Sequence, residues 1–235
     1  MPARPFADAV VLAAGSSERM RGQDKLLIEV AGLPLVAWTV RAVAAATTVR
    51  RVILVTRRDR IEQFRAAPWA REVNATVVEG GSRRQDSVAA GVAEADGEVV
   101  LIHDGARPLV TPKLVDRVAK AARKHGAAVP VAAVPESMRR VVDGRITDII
   151  DRIDLFRSQT PHGTRRQLLL EVYARQDPRG PDTFIDETTL VQAAGLPVTP
   201  VKGDPANLKV TLRGDAPLVL ALLEARALGA EPDPA

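Results

Sequence analysis

Residues 9–14, Ala-Val-Val-Leu-Ala-Ala, form an apolar run that stops abruptly at Gly15-Ser16-Ser17. A run without polar alternation suits a strand covered on both faces, the condition of a parallel sheet sandwiched between helices. Small residues in the loop that follows let a ligand approach the main chain, and successive N–H groups can face an anion. Arg19, Arg21 and Lys25 add positive charge within the same short segment. The stretch reads either as a phosphate cradle or as a tight strand-to-helix turn with solvated charges. It matches neither common cradle: the dinucleotide fingerprint needs three spaced glycines, and the P-loop needs Gly-Lys where this chain has Gly22-Gln23.

The same apolar signature returns at Arg51–Thr56, Asn74–Glu79, Glu98–His103 and residues 127–135, with helical patterns between, at Pro34–Ala45, Arg60–Ala67 and from Ser82 to Ala95. Regular alternation of this kind predicts an α/β, Rossmann-like fold, a mostly parallel sheet with helices on both faces. The alternation then breaks. Around Asp143-Gly144, residues 140–150 carry the pattern of a two-residue hairpin, which predicts a protruding β-hairpin arm. Exposed apolar alternation on such an arm predicts a partner, a second copy of the chain. Beyond it come a helix over Thr164–Arg175, opened by a capping box Thr164 to Gln167, and a helix over Asp186–Ala194. A strand over Leu196–Lys202, a short strand over Asn207–Thr211 and a helix over Pro217–Leu228 complete the pattern. With no repeat or linker, residues 1–230 read as one domain with an inserted arm at 135–160 for dimerisation, and 231–235 as a disordered tail.

Ligands of such sheets bind outside the carboxyl ends of the strands, so the loops there are the candidate site. Gly80-Gly81 breaks the third strand, and Ser82-Arg83-Arg84-Gln85 has the capping-box spacing of a second anion-friendly helix start. Asp104-Gly105-Ala106-Arg107-Pro108 closes the next strand. Asp104 reads as a turn cap or, beside two basic loops, as a metal or ribose ligand. His103 reads as a packed, hydrogen-bonded residue, His125 as a solvated cap, and His162 has no assigned role. Asp186-Glu187 reads as a helix start that serves the dipole, with an acid/base pair as the competing interpretation.

Composition removes several function classes. Without cysteine there is no disulfide framework, thiol nucleophile or cysteine-bound metal. Aromatic residues make up only 3%, which argues against stacking on single-stranded nucleic acid. The net charge of +4 is modest and scattered, and most of the cations are arginine, suited to bidentate contacts with small phosphorylated ligands. No run is long enough to span a membrane and Met1–Phe6 is too short for a signal peptide, so a cytoplasmic location is expected.

With these pieces in place, the chain resembles the 2-C-methyl-D-erythritol 4-phosphate cytidylyltransferases of the non-mevalonate isoprenoid pathway, within the wider nucleotidyltransferase fold. The resemblance runs from Val10 to Asp215. It is carried by Leu12-Ala-Ala-Gly15 with Arg19-Met20 and Lys25, Gly80-Gly81 with Arg84, Asp86-Ser87-Val88, and His103-Asp-Gly-Ala-Arg-Pro108. Asp151-Arg152, Gln159-Thr160-Pro161, Thr183 with Asp186-Glu187, and Asn207-Leu-Lys-Val-Thr211 complete it.

The resemblance implies transfer of CMP from CTP to a polyol phosphate. Ala13, Ala14 and Gly15 would meet the nucleotide, Gly81 and Ser87 would touch base and ribose, and Arg84 would complete the nucleotide site. Arg19 and Lys25 would be catalytic, stabilising charge on the α-phosphoryl group, and Asp104 would help hold Mg²⁺. Gly105, Arg107, Thr160 and Lys209 would anchor the second substrate, with Ser137 and Arg152 reaching over from the partner's arm in a homodimer. Ala206 departs from the family pattern, where an acidic residue often precedes the asparagine, and this keeps a ribitol 5-phosphate cytidylyltransferase as an alternative. A non-catalytic RNA-binding module is the distant one; clustering of the cations at strand ends argues against it.

Overall fold

The leading apolar run forms β1 (Ala7–Ala13), buried at every position but Leu12. Its one charged residue, Asp8, lies at the end opposite the glycine loop and accepts bonds from the Asp96 and Gly97 amides, both at 2.8 Å. The computed structural model describes residues 4–15, 24–212 and 214–227, so Arg19 and the tail 231–235 lie outside the described residues. After the first loop come the short pair β2 (Glu29–Val30) and β3 (Leu33–Pro34), α1 (Leu35–Ala44), β4 (Val49–Thr56), α2 (Ile61–Ala66), α3 (Pro68–Glu72) and β5 (Thr76–Glu79). Then follow α4 (Arg84–Glu94), β6 (Val99–Asp104), α5 (Pro112–His125) and β7 (Ala127–Ala133).

β6, β1, β4 and β5 lie side by side, each pair parallel. Successive strand residues face opposite sides. Val11, Leu54 and Leu101 accordingly join a core with α1 and α5, while Val10, Ile53 and Ile102 join a second core with Val88 and Val92 of α4. Helices therefore cover both faces, as the unalternating strands require.

Between β7 and the rest of the sheet the chain makes its excursion. β8 (Met138–Val142) and β9 (Arg145–Ile150) form an antiparallel hairpin paired to no other strand among the described residues. Asp143 and Gly144 at its turn both have positive φ, 50° and 74°, the conformation that favours glycine and aspartate there. Val141, Ile146 and Ile149 of the hairpin are exposed. The chain returns as β10 (Phe156–Ser158) and β11 (His162–Arg165), which pair antiparallel with successive stretches of β7, and β11 also pairs with β6. α6 (Arg166–Arg175), α7 (Glu187–Ala193), β12 (Thr199–Lys202), parallel to β7, and α8 (Asp215–Ala227) follow.

Three local expectations are corrected. Thr164 caps no helix; it sits in β11 opposite Val100, and α6 starts two residues later. Asn207–Thr211 is no strand, because its polar groups turn to separate partners: Val210 N donates to Ala106 O at 2.9 Å and Thr211 N to the Asp215 carboxylate at 2.7 Å. α4 is capped one residue later than the Ser82 spacing implies, with Asp86 accepting from Arg83 N at 3.1 Å. Gln85 is drawn away instead, donating to Pro178 O and Asp182 O at 2.7 and 2.8 Å, which straps the segment before α7 onto α4.

Candidate active site

The carboxyl ends of β1, β4, β5 and β6 open on one cleft of about 770 Å³, where an open parallel sheet binds its ligands. Ala14, Gly15 and Lys25 line one wall, and Gly81, Arg84 and Ser87 the other. Asp104 and Gly105, at the end of β6, share its lining with Lys209. The glycines are needed for close approach: a Cβ on Gly80 would stand 2.7 Å from Ser87 Oγ and 2.8 Å from Ala14 Cβ. Ser87 Oγ also accepts from Gly81 N at 3.2 Å, which fixes the loop on the first turn of α4.

Asp104 is the electrostatic centre. Lys209 Nζ lies 2.8 Å from its Oδ2, Arg84 Nη2 3.6 Å from Oδ1, and Arg107 Nε 3.7 Å from Oδ2. Burial alone would push the Asp104 carboxyl up, but the Lys209 and Arg84 charges outweigh it and hold the group well below the usual carboxylate range. The site thus carries a fixed anion inside a larger ring of cations.

A buried chain of hydrogen bonds holds that arrangement from beneath. Asp104 N donates to Thr160 Oγ1 at 3.1 Å, Thr160 Oγ1 bonds His103 Nδ1 at 2.9 Å, and His103 Nε2 lies 3.3 Å from Arg107 O. A carbonyl can only accept, so Nε2 carries the proton and Nδ1 accepts from the threonine hydroxyl. Burial lowers the His103 pKa to about 4, which keeps this neutral form in place. Asn207 adds a second tie, donating from Nδ2 to Thr160 O and accepting from Arg107 Nη1 at its carbonyl, both at 2.8 Å.

The sequence marks Glu187 as a helix-start residue but not as the group behind Arg84. Glu187, the first residue of α7, is buried and bonds both Arg84 Nη1 at 2.6 Å and His162 Nδ1 at 3.0 Å. Burial would raise its pKa, yet the His162 hydrogen bond and the Arg84 charge keep the carboxyl below its usual range. Its neighbour Asp186 serves the helix start, accepting from Thr189 N at 2.9 Å. Arg57 and Arg58 also line the cleft, at the carboxyl end of β4, where the rule that found the other loops applies equally.

Of the expected site residues, Ala14, Gly15, Lys25, Gly81, Arg84, Ser87, Asp104, Gly105 and Lys209 face one cleft. Ala13 is buried within β1, and Arg107 and Thr160 do not line the cleft: Thr160 Oγ1 is committed to the network just described, while Arg107 bonds Asn207 O through Nη1 and its Nε has no hydrogen-bond partner among the described residues. Ser137 and Arg152 are exposed near the arm and do not line the cleft of their own chain. Arg152 donates instead to Pro135 O. Among the described residues no three acidic or histidine groups cluster as a metal site, and Asp104 is a single carboxylate. That donor set fits a hard cation that arrives with most of its ligands as phosphate oxygens and water.

The family model described as IspD: 2-C-methyl-D-erythritol 4-phosphate cytidylyltransferase matches residues 7–225. A Bacillus licheniformis protein named 2-C-methyl-D-erythritol 4-phosphate cytidylyltransferase is 33% identical over 224 residues, covering 93% of this chain and 96% of the relative. A Desulfotalea psychrophila protein named bifunctional enzyme IspD/IspF is 35% identical over 216 residues, 90% of this chain, which spans 55% of that longer relative. The crystal structure of the Thermus thermophilus 2-C-methyl-D-erythritol 4-phosphate cytidylyltransferase superposes with a TM-score of 0.76 at 32% identity, covering 92% of this chain and 98% of that one. With its fold and nearly its whole length matched, the chain belongs to the 2-C-methyl-D-erythritol 4-phosphate cytidylyltransferase family.

Proposed function

We propose that this chain transfers CMP from CTP to 2-C-methyl-D-erythritol 4-phosphate and releases pyrophosphate. The observation that carries the reading is the convergence of Gly15, Lys25, Arg84, Asp104 and Lys209 on one cleft at the strand ends. In the reaction an oxygen of the acceptor phosphate forms a bond to the α-phosphorus as the bond from that phosphorus to the bridging oxygen breaks, and the electron pair leaves with pyrophosphate. The attacking oxygen is already ionised near neutral pH, so the protein needs no general base. Its task is alignment and neutralisation of two anions.

The main chain of Ala13, Ala14 and Gly15 carries the nucleotide, Gly81 and Ser87 take base and ribose, and Arg84 completes the wall. Lys25 and Arg19 offset charge at the α-phosphoryl group. Mg²⁺, bound through Asp104 and phosphate oxygens, would supply further neutralisation. The acceptor phosphate meets Gly105, Arg107 and Lys209, with Thr160 holding Asp104 from below.

Ser137 and Arg152 enter from the arm of a second copy. The exposed Val141, Ile146 and Ile149 support that homodimer, because apolar alternation on a projecting hairpin favours burial. No helix among the described residues is long and apolar enough to cross a membrane, and soluble substrates suit a cytoplasmic enzyme.

The decisive experiment supplies CTP and Mg²⁺ with either 2-C-methyl-D-erythritol 4-phosphate or ribitol 5-phosphate and follows pyrophosphate. Turnover with the former is expected to dominate. Preference for ribitol 5-phosphate, or tight salt-sensitive RNA binding without turnover, would overturn the reading.

A further inference from the structure

Arg84 is stretched between two buried carboxylates. Its Nη1 is hydrogen-bonded to Glu187 Oε1 at 2.6 Å, and its Nη2 stops 3.6 Å short of Asp104 Oδ1. The second Glu187 oxygen, Oε2, accepts from His162 Nδ1 at 3.0 Å, and the side chains of Glu187 and His162 are each only 4% exposed. Both are therefore shut away from the cleft that Arg84 faces. We propose that Glu187, oriented by His162, is a positioning residue that holds the Arg84 guanidinium on the nucleotide wall and off Asp104. The inference rests on the CTP reading above.

The alternative position for Arg84 is close at hand. A half-buried guanidinium deprived of one carboxylate gains most by closing on the next, and only a short movement separates it from a direct pair with Asp104. That collapse would remove a cation from the nucleotide wall and occupy an Asp104 oxygen at the same time. Asp104 already engages Lys209 at 2.8 Å and needs no second direct partner.

Geometry and simple electrostatics make opposite predictions here, which gives the proposal its edge. Glu187 is a negative charge beside a site for a polyanion, so if it acted only through its field, neutralising it would tighten CTP binding. If it acts by fixing Arg84, neutralising it weakens binding.

Equilibrium binding of CTP, with no acceptor present, is measured for the wild type, Glu187→Gln, Arg84→Gln and the double variant, with a melting curve to establish folding. Each single variant is expected to bind CTP at least about tenfold more weakly, the range for loss of a charged hydrogen bond. The double variant is expected to lose no more than either single one, since both remove the same positioned guanidinium. Unchanged or tighter binding in folded Glu187→Gln, or additive losses, overturns the proposal. A wild type that fails to bind CTP instead removes the nucleotide reading and takes this inference with it. Should Glu187→Gln not fold, His162→Ala and His162→Asn decide the matter. Alanine is expected to weaken CTP binding several-fold, and asparagine, whose amide N–H can stand in for Nδ1, to recover it. Alanine binding like the wild type, or asparagine failing to recover, overturns the role.

Discussion

Asp104 Oδ2 and Lys209 Nζ stand 2.8 Å apart, tying the last residue of β6 to the irregular segment that precedes α8. The contact joins two parts of the chain that secondary structure does not connect, and it sets a cation on the wall of the cleft.

Lys209→Met removes that cation while leaving Arg84 and Arg107 near Asp104. On the proposed mechanism kcat/KM for the polyol phosphate falls by about 100-fold, the scale seen when one charge-stabilising donor is lost. The Asp104 carboxyl is held below its usual range in the fold, so its contribution to stability is present above the unfolded pKa and is lost as pH falls. With Lys209 gone the folded pKa moves back toward the unfolded one, so the variant has less of this stability at neutral pH and less to lose on acidification. Urea unfolding midpoints should therefore be lower in the variant at neutral pH but decline less steeply between about pH 5 and 3 than in the wild type.

His103 gives a second pH dependence in a different window. Its folded pKa is lowered from 6.5 to about 4 by burial, so the unfolded chain takes up a proton that the native ring refuses. Stability is complete above about pH 6.5, declines as pH falls toward about 4, and the decline amounts to roughly 3 kcal/mol. Denaturant titrations at several pH values should show this slope in the wild type and a flatter one in His103→Gln.

Thr160→Val tests the network under the cleft. The change keeps shape but deletes the oxygen that accepts from Asp104 N and bonds His103 Nδ1. Two buried polar atoms are left unpaired, which costs about 1–3 kcal/mol each. Melting should fall accordingly, and Thr160→Ser, which keeps the oxygen, should recover most of the loss.

What the sequence made legible follows from what local physics controls. Strands buried on both faces announce themselves, because nothing polar fits in Val52–Val55 or Val99–Ile102. The Asp143-Gly144 turn is legible because few residue pairs accept two positive φ values. The strand-end rule gathered most of the cleft in advance. The pairing of Glu187 was hidden, since its partners Arg84 and His162 come from other elements and only the closed fold brings them together. The Asn207–Thr211 pattern misled for the same reason: alternation mimics a strand, but Thr160, Ala106 and Asp215 take up its polar groups. Ser82-to-Gln85 spacing likewise lost to a tertiary demand, the tie from Gln85 to the 178–184 segment.

Gly91→Ala probes how closely α4 must approach the sheet. A Cβ there would stand 2.3 Å from Val10 Cγ1 and 2.9 Å from Val55 Cγ2, in a buried layer with no flexible neighbour to yield. Overpacking of this kind costs about 1–3 kcal/mol. The melting temperature should fall, and because Arg84 and Ser87 ride on the same helix, the KM for CTP should rise with it.

Lys25 separates chemistry from folding. It opens the single-turn helix Lys25–Leu27, whose anchor is Leu26, 3% exposed, and whose cap is Asp24, accepting from Leu26 N at 3.1 Å. The anchor is the Leu26 side chain and the cap bond runs from the Leu26 amide to the Asp24 carboxylate, and alanine is the best helix former. Lys25→Ala should therefore melt close to the wild type while kcat falls by about 100-fold or more, because a cation facing the cleft beside Gly15 is lost at the stage when charge builds on the transferred phosphoryl group. Arg19→Ala is expected to behave in the same way, although Arg19 lies outside the described residues. Wild-type turnover in both variants, measured with saturating CTP and polyol phosphate, would remove electrostatic neutralisation from this loop as the basis of the reaction.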